Sequence, residues 1–302
     1  MLKISNLSFN YKSKKVLKNL SFSLRPNQIT ALLGKNGAGK STLINIIAGL
    51  LKFNEGEISF NDFSLPKEYI AASKNIGMMF QEITLPRYTK VKDILADHAL
   101  LYDVKHSQGW IDELITKLDL VDKLGTETQD LSGGMQRRLM VALTLVHKPK
   151  LIILDEPTAG VDIAMRDALW ELLHGLKSQG HTILITTHNM QEVESLCDEI
   201  AFIHNGEILL HDTTEKVIKK NNSFKELFFK TDRELSSGAT VANSIRISKE
   251  WYQLEIKNID KITDVVDFVI QDGAKIIDFN IKEPSLEDVF KECIYGDTSN
   301  NL

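Results

Sequence analysis

Nine residues constrain this chain more than any others: Gly34 to Thr42, reading G-K-N-G-A-G-K-S-T. They follow one apolar run, Ile29 to Leu33, and open another, Leu43 to Leu51. Strand, glycine-rich loop, helix is the context that a phosphate-binding loop requires. Glycines at 34, 37 and 39 would let the backbone turn with positive φ and approach a ligand with no Cβ in the way. The amides of Asn36, Gly37, Ala38 and Gly39 would then form a nest of partial positive charge. A helix starting near Lys40 adds unsatisfied N–H groups and its positive dipole end. Lys40 would reach the β- and γ-phosphates, and Ser41, followed by Thr42, would offer a hydroxyl to Mg²⁺. The plainer alternative is a glycine turn capped by serine. It does not account for the full G-x-x-x-x-G-K-S spacing between a strand and a helix.

The chain has 302 residues, of which 43% are hydrophobic and 25% charged. That balance suits a large globular domain and a small one. A formal net charge of −5 argues against a broad basic face for nucleic acid. No apolar run is long enough for a membrane span, and Met1 to Asn10 lacks a signal-peptide core. Cys197 and Cys293 are far apart and outside any C-x-x-C pair, so free thiols, no metal cluster and a cytosolic location are expected.

Alternation predicts strands at Leu2–Phe9 and Val16–Leu24, with Tyr11 in a polar loop beside Lys12, Lys14 and Lys15. Tyr11 could stack on an adenine or simply cover a sheet edge. Lys52 to Gly56 reads as a turn, and Glu57–Phe60 and Ile76–Phe80 as strands. Gln81, at the end of the second, could reach a metal or a water, or merely be solvated. Val91–Tyr102 and Trp110–Leu120 have helical apolar spacing, through Ile94, Leu95, His98 and Leu101 in one and Ile111, Leu114, Ile115 and Leu118 in the other. A small helical insert, Glu82 to Gln129, is expected, with His98 and His106 as surface or interface residues.

Leu131-Ser132-Gly133-Gly134-Met135-Gln136 then opens an apolar helix. Ser132 is a natural N-cap. Paired glycines cost about 1 kcal/mol each inside a helix relative to alanine, so this second helix start also reads as an anion site. Leu151–Leu154 suits a buried parallel strand and ends in Asp155 and Glu156, where α/β sheets place ligands. Asp155 can hold Mg²⁺, and Glu156 can orient or deprotonate a water. Thr182–Thr186 is the next buried strand, and His188 after it can contact a γ-phosphate.

Taken together, these motifs resemble the ATP-binding cassette ATPases over Met1 to about Ile218. The resemblance implies an α/β P-loop NTPase fold: a RecA-like core, an antiparallel β-subdomain, and a helical subdomain at about 82–135. It implies adenine stacking on Tyr11 and phosphate binding by Gly34 to Thr42. It also implies Mg²⁺ at Ser41, Gln81 and Asp155, a general base in Glu156, a γ-phosphate switch in His188, and a loop at Asp162 that speaks across a dimer. Because one chain holds a phosphate loop and a separate anion-receiving helix end, a two-fold homodimer is expected. Each copy would give Ser132, Gly133 and Gly134 to the other's ATP. The turn Ala159-Gly160-Val161-Asp162-Ile163 departs from the commoner Ser-Ala-Leu-Asp-Pro but keeps the aspartate.

Residues 219–302 carry no further cassette motif. Asn221-Asn222-Ser223 reads as a linker. A strand at Trp251–Ile256, a helix at Ile259–Ile270, a strand at Ala274–Ile281 and a last helix capped by Ser285 make a small α+β unit, for which a ferredoxin-like arrangement is one form. The phrase Glu283 to Phe290 resembles the tail of the bacterial export branch, which pairs with a separate membrane permease. The implied role is thus an Mg-dependent ATPase subunit of an exporter, peripheral at the inner face of the plasma membrane. The alternatives are an importer subunit or a soluble cassette ATPase on DNA or ribosomes. Against the last stand the single cassette, the short insert without heptads and the lack of a basic tail.

Overall fold

In the computed structural model the N-terminal alternation becomes an antiparallel pair, β1 (Leu2–Tyr11) and β2 (Lys14–Ser23). The structure describes residues 1–53, 55–102, 104, 108–220, 225–235, 245–248, 250–256, 260–282 and 285–295. The chain divides into two compact units, Met1–Thr214 and Glu215–Leu302.

In the first unit, β3 (Ile29–Leu33) is buried at every position and leads through the glycine loop into α1 (Lys40–Ile47). Next come β4 (Glu55–Phe60), β5 (Phe63–Leu65), α2 (Tyr69–Ser73) and β6 (Ile76–Met79). The antiparallel sheet runs β2-β1-β4-β5. β4 starts two residues before the expected Glu57. Its Gly56, at φ 97°, lies against β1, where a Cβ would come 2.6 Å from Leu7 Cα. Tyr11 ends β1 rather than sitting in a loop, because it pairs with Lys14 across the turn.

Helices α3 (Val91–Leu101), α4 (Gln108–Lys117) and α5 (Gly133–Leu145) follow. Ile94, Leu95, Ile111, Leu114, Ile115 and Leu118 are buried, as their spacing predicts. One expectation fails here. Leu101 is 76% exposed, because it lies in the last turn of α3, beyond the packed stretch. His98, expected as a surface or interface residue, is half-buried, and its Nδ1 is out of contact with solvent. His106 lies outside the described residues. The Trp110 indole N–H donates to the Leu145 carbonyl at 2.9 Å and ties α4 to α5.

β7 (Leu151–Asp155), α6 (Ile163–Ser178), β8 (Thr182–Thr186), α7 (Met190–Leu196), β9 (Glu199–His204) and β10 (Glu207–Thr213) complete the unit. The second sheet runs β10-β9-β3-β8-β7-β6, with every pair parallel except β10 with β9. β3, β7 and β8 are buried throughout, as a parallel sheet covered on both faces requires. Leu43, Ile44, Ile46 and Ile47 of α1 share a core with Leu17, Phe60, Ile153 and Leu184. Truncating Leu43 to alanine there would cost about 2–5 kcal/mol. Parallel pairing brings the loops after β3, β6, β7 and β8 to one sheet edge. The glycine loop, Gln81, Asp155–Glu156 and His188 therefore share that edge.

After α8 (Thr214–Lys220), the second unit holds β11 (Lys225–Thr231), β12 (Ile245–Arg246), β13 (Trp251–Ile256), α9 (Asp260–Gln271), β14 (Ile276–Lys282) and α10 (Leu286–Tyr295). The sheet is antiparallel, in the order β12-β13-β11-β14. Leu227, Phe229, Tyr252, Leu254, Val265 and Val269 form its core. β13, α9, β14 and α10 match expectation within two residues, whereas β11 and β12 were not anticipated. Asp288 accepts from the Ser285 N–H at 2.9 Å while Ser285 Oγ accepts from the Asp288 N–H at 3.3 Å, closing the capping box. The expected linker, Asn221 to Ser223, lies outside the described residues.

Candidate functional site

The glycine loop owes its shape to two different constraints. Gly37 has φ 81° and Gly39 φ 114°, values that L side chains rarely adopt. Gly34 does not have positive φ, contrary to the sequence expectation. It is glycine because a Cβ would lie 2.4 Å from the Ile203 carbonyl oxygen of β9. The Asn205–Gly206 turn closes the loop from behind. The Gly206 N–H donates to the Ala38 carbonyl at 3.0 Å, and the Gly206 carbonyl accepts from the Lys18 N–H at 2.9 Å.

A cleft of about 640 Å³ brings together Tyr11, Asn36, Gly37, Gly39 to Thr42, Gln81, Asp155 and Glu156. Lys14, Lys15 and Lys18 also line it, so its cations suit a polyphosphate. Tyr11 is 47% exposed and packs edge-on against Phe9 at 4.9 Å, which leaves ring surface for a flat base. Lys40 Nζ donates to the Gly34 carbonyl at 2.6 Å and to the Lys35 carbonyl at 3.3 Å. Burial lowers the Lys40 pKa, and the carboxylates of Glu156 and Asp155 act against that shift.

Asp155 is buried and accepts from the Thr186 hydroxyl and, at 3.4 Å, from the Ser41 hydroxyl. One carboxylate, one hydroxyl and the nearby Gln81 amide make an all-oxygen set suited to Mg²⁺, which keeps its remaining places for water and phosphate. Among the described residues there is no group of three His, Cys, Asp or Glu that could cage a metal alone. Glu156 leaves β7 with φ 53° and is buried. Its N–H donates to the Thr186 carbonyl and hydroxyl, each at 3.1 Å. His188 Nδ1 lies 3.0 and 2.9 Å from the two oxygens of the Glu156 carboxylate, while the imidazole is 79% exposed.

Ser132, Gly133, Gly134 and Asp162 do not line this cleft. Ser132 caps α5, accepting from the Met135 N–H at 3.3 Å, and Asp162 caps α6, accepting from the Met165 N–H at 2.9 Å. A Cβ on Gly133 would meet nothing within 4 Å, and one on Gly134 would meet only the Gly160 carbonyl, at 3.4 Å. The start of α5 is thus open on its own chain. Cys197 is a free buried thiol.

Two residues without an assigned role join these parts. Arg137 donates to the Glu156 carbonyl at 2.6 Å and the Gln81 carbonyl at 3.2 Å. Glu192, fully buried, accepts from the Thr158 hydroxyl at 3.0 Å, the Trp170 indole at 3.2 Å and the Thr187 hydroxyl at 2.5 Å. The signal for Arg137 was a charge at apolar helical spacing with Met140, Val141 and Thr144.

Residues 17–159 match the family described as ABC transporter. The linearmycin resistance ATP-binding protein LnrL of Bacillus subtilis is 36% identical over 69% of this chain and 68% of its own length. The Nod factor export ATP-binding protein I of Rhizobium etli is 31% identical over 95% of this chain and 90% of its own. A solved ATP-binding subunit of an ABC transporter superposes with a TM-score of 0.70 at 27% identity, covering 73% of this chain and 92% of that one. The cassette MJ0796, solved as a dimer, has the same fold, with a TM-score of 0.64 at 24% identity over 70% of this chain and 98% of its own. With its loop, carboxylates and histidine gathered at one sheet edge, the chain belongs to the ATP-binding subunits of ABC transporters.

Proposed function

We propose that this ATPase subunit works as a homodimer beneath a separate membrane permease and powers export. The observation that carries the reading is the split site. One cleft gathers the glycine loop, Gln81, Asp155 and Glu156, while the capped start of α5 lies outside it and open. A second copy related by two-fold symmetry would bring Ser132, Gly133 and Gly134 to the γ-phosphate of the first copy's ATP.

Within each site, Tyr11 stacks on adenine and the loop amides with Lys40 hold the β- and γ-phosphates. Ser41, Asp155 and Gln81 would hold Mg²⁺, which when bound screens phosphate charge in the in-line displacement. Glu156 orients the attacking water and takes its proton as the water oxygen bonds to phosphorus and the ADP oxygen leaves. His188 donates from Nδ1 to Glu156, which fixes its tautomer, and in its protonated form can donate from Nε2 to the γ-phosphate. Asp162, which caps α6, is assigned to the loop that speaks across the dimer. Loss of the shared phosphate releases the dimer.

Export is favoured by relatives named for Nod factor export and linearmycin resistance and by the Glu283 to Phe290 phrase. The helical subdomain at about 82–135 is the part we assign to docking the permease, and residues 219–302 form an accessory domain. No helix among the described residues is long and apolar enough to cross a membrane, so attachment to the inner face of the plasma membrane would come through that permease.

The test is recovery of the tagged chain from detergent-solubilised membranes of its source, with mass spectrometry of what accompanies it. A polytopic membrane protein in stoichiometric amount is the expected result. Ribosomes or DNA-bound factors instead would contradict the reading.

A further inference from the structure

Arg137 is a buried cation for which none of the described residues supplies a salt-bridge partner. The residue is 9% exposed, and its guanidinium bonds go to two backbone carbonyls, those of Glu156 and Gln81. These carbonyls belong to separate loops, one after β7 and one after β6. Arg137 itself sits in the first turns of α5, directly behind Ser132 to Gly134. One rigid side chain therefore spans the open helix start, the residue proposed as base, and the glutamine proposed to meet the metal. Its planar fork holds both carbonyls in a fixed relation, which a lysine ammonium on a flexible stem cannot do.

Glu156 needs such support. Its φ of 53° places a non-glycine residue in the left-handed region, a conformation that persists only where the surroundings over-determine it. The Thr186 bonds hold the Glu156 amide, and Arg137 holds its carbonyl. Both ends of the residue are thereby fixed while its carboxylate stays free to meet His188. Because Arg137 binds main chain only, the link does not depend on the side chains at 81 or 156.

We propose that Arg137 is a positioning residue that sets Glu156 and Gln81 according to where α5 stands. Under the dimer reading, on which this part rests, α5 stands against the partner's ATP. Occupancy of one site is then transmitted through Arg137 to the base of the other. The expected sign is positive: α5 docked on ATP draws both loops into register.

The experiment is steady-state ATP hydrolysis by the full chain carrying Arg137→Met or Arg137→Lys. It is paired with a fluorescent-nucleotide titration and a melting curve for each variant. With both carbonyl contacts gone, kcat should fall by at least about tenfold for R137M. Nucleotide affinity should stay unchanged and the Hill coefficient for ATP should fall to that of independent sites. R137K, which can reach one carbonyl, should lose less. A merely structural role would lower melting temperature and affinity together and leave R137K no better than its stability. That pattern, or wild-type kcat in either folded variant, overturns the proposal. If R137M does not fold, R137K decides by the same kcat and affinity readings. The dimer reading is checked separately by ATP-dependent association of the Glu156→Gln chain. Failure there, with the kcat loss present, removes transmission between sites and leaves Arg137 positioning Glu156 within one chain.

Discussion

His188 Nδ1 sits 3.0 and 2.9 Å from the two carboxylate oxygens of Glu156, one exposed ring closing over one buried acid. The pair spans the ends of β7 and β8, which are adjacent in the sheet. Replacing His188 with alanine removes the donor that orients Glu156 and the contact proposed for the γ-phosphate. The expected outcome is a fall in kcat of about 10²-fold or more with little change in nucleotide affinity, read from steady-state hydrolysis and a binding titration.

Lys40→Ala should act on binding. The ammonium is held in the loop by the Gly34 and Lys35 carbonyls, from which it can turn to the phosphates. Losing one charge-assisted contact to phosphate implies at least about tenfold weaker nucleotide binding. Unchanged affinity in a fluorescent-nucleotide titration would remove the phosphate-loop assignment.

Two glycines separate stability from function. Gly34→Ala places a methyl 2.4 Å from the Ile203 oxygen, an overpacking that costs about 1–3 kcal/mol and should lower the melting temperature by several degrees. Gly133→Ala meets nothing within 4 Å and lies in a helix, so it should melt no lower than the native chain. If α5 faces a partner's nucleotide, the same methyl intrudes there and hydrolysis falls. A G133A chain with native turnover would count against the shared site.

How far these residues could be read from the sequence depends on how local their constraints are. The capping box at Ser285 and Asp288 and the apolar faces of α3 and α4 are local, and the sequence shows them. The reason for Gly34 is not local: it depends on β9, far along the chain. Arg137 shows in the sequence only as a charge at apolar helical spacing, because its partners lie on loops brought together by the parallel sheet, and Glu192 meets Thr158 and the α6 residue Trp170 only through the fold. β11 and β12 carry no turn signature as strong as the Ser285 cap.

His147 gives the fold a pH dependence. Its ring stacks on Tyr102 at 3.7 Å and 6°, and Nε2 lies 3.3 Å from the Ile76 carbonyl oxygen. Burial lowers its pKa from the usual 6.5 to about 4, the bond to Ile76 works against the shift, and His98 adds to it. The unfolded chain therefore binds more protons through this window. Folding stability should fall as pH drops from the unfolded value toward the folded one. Between about pH 7 and pH 5 the loss is roughly 1–2 kcal/mol after allowance for partial exposure. Denaturant midpoints at the two pH values should differ less for His147→Phe than for the native chain.

The central claim is tested most directly by size-exclusion of the Glu156→Gln chain with and without ATP and Mg²⁺. A chain that still binds ATP but cannot activate water should elute as a monomer without nucleotide and as a stable dimer with it, with turnover abolished. A Glu156→Gln chain that stays monomeric in ATP, or that still hydrolyses it, would contradict the roles assigned to Glu156 and to the open start of α5.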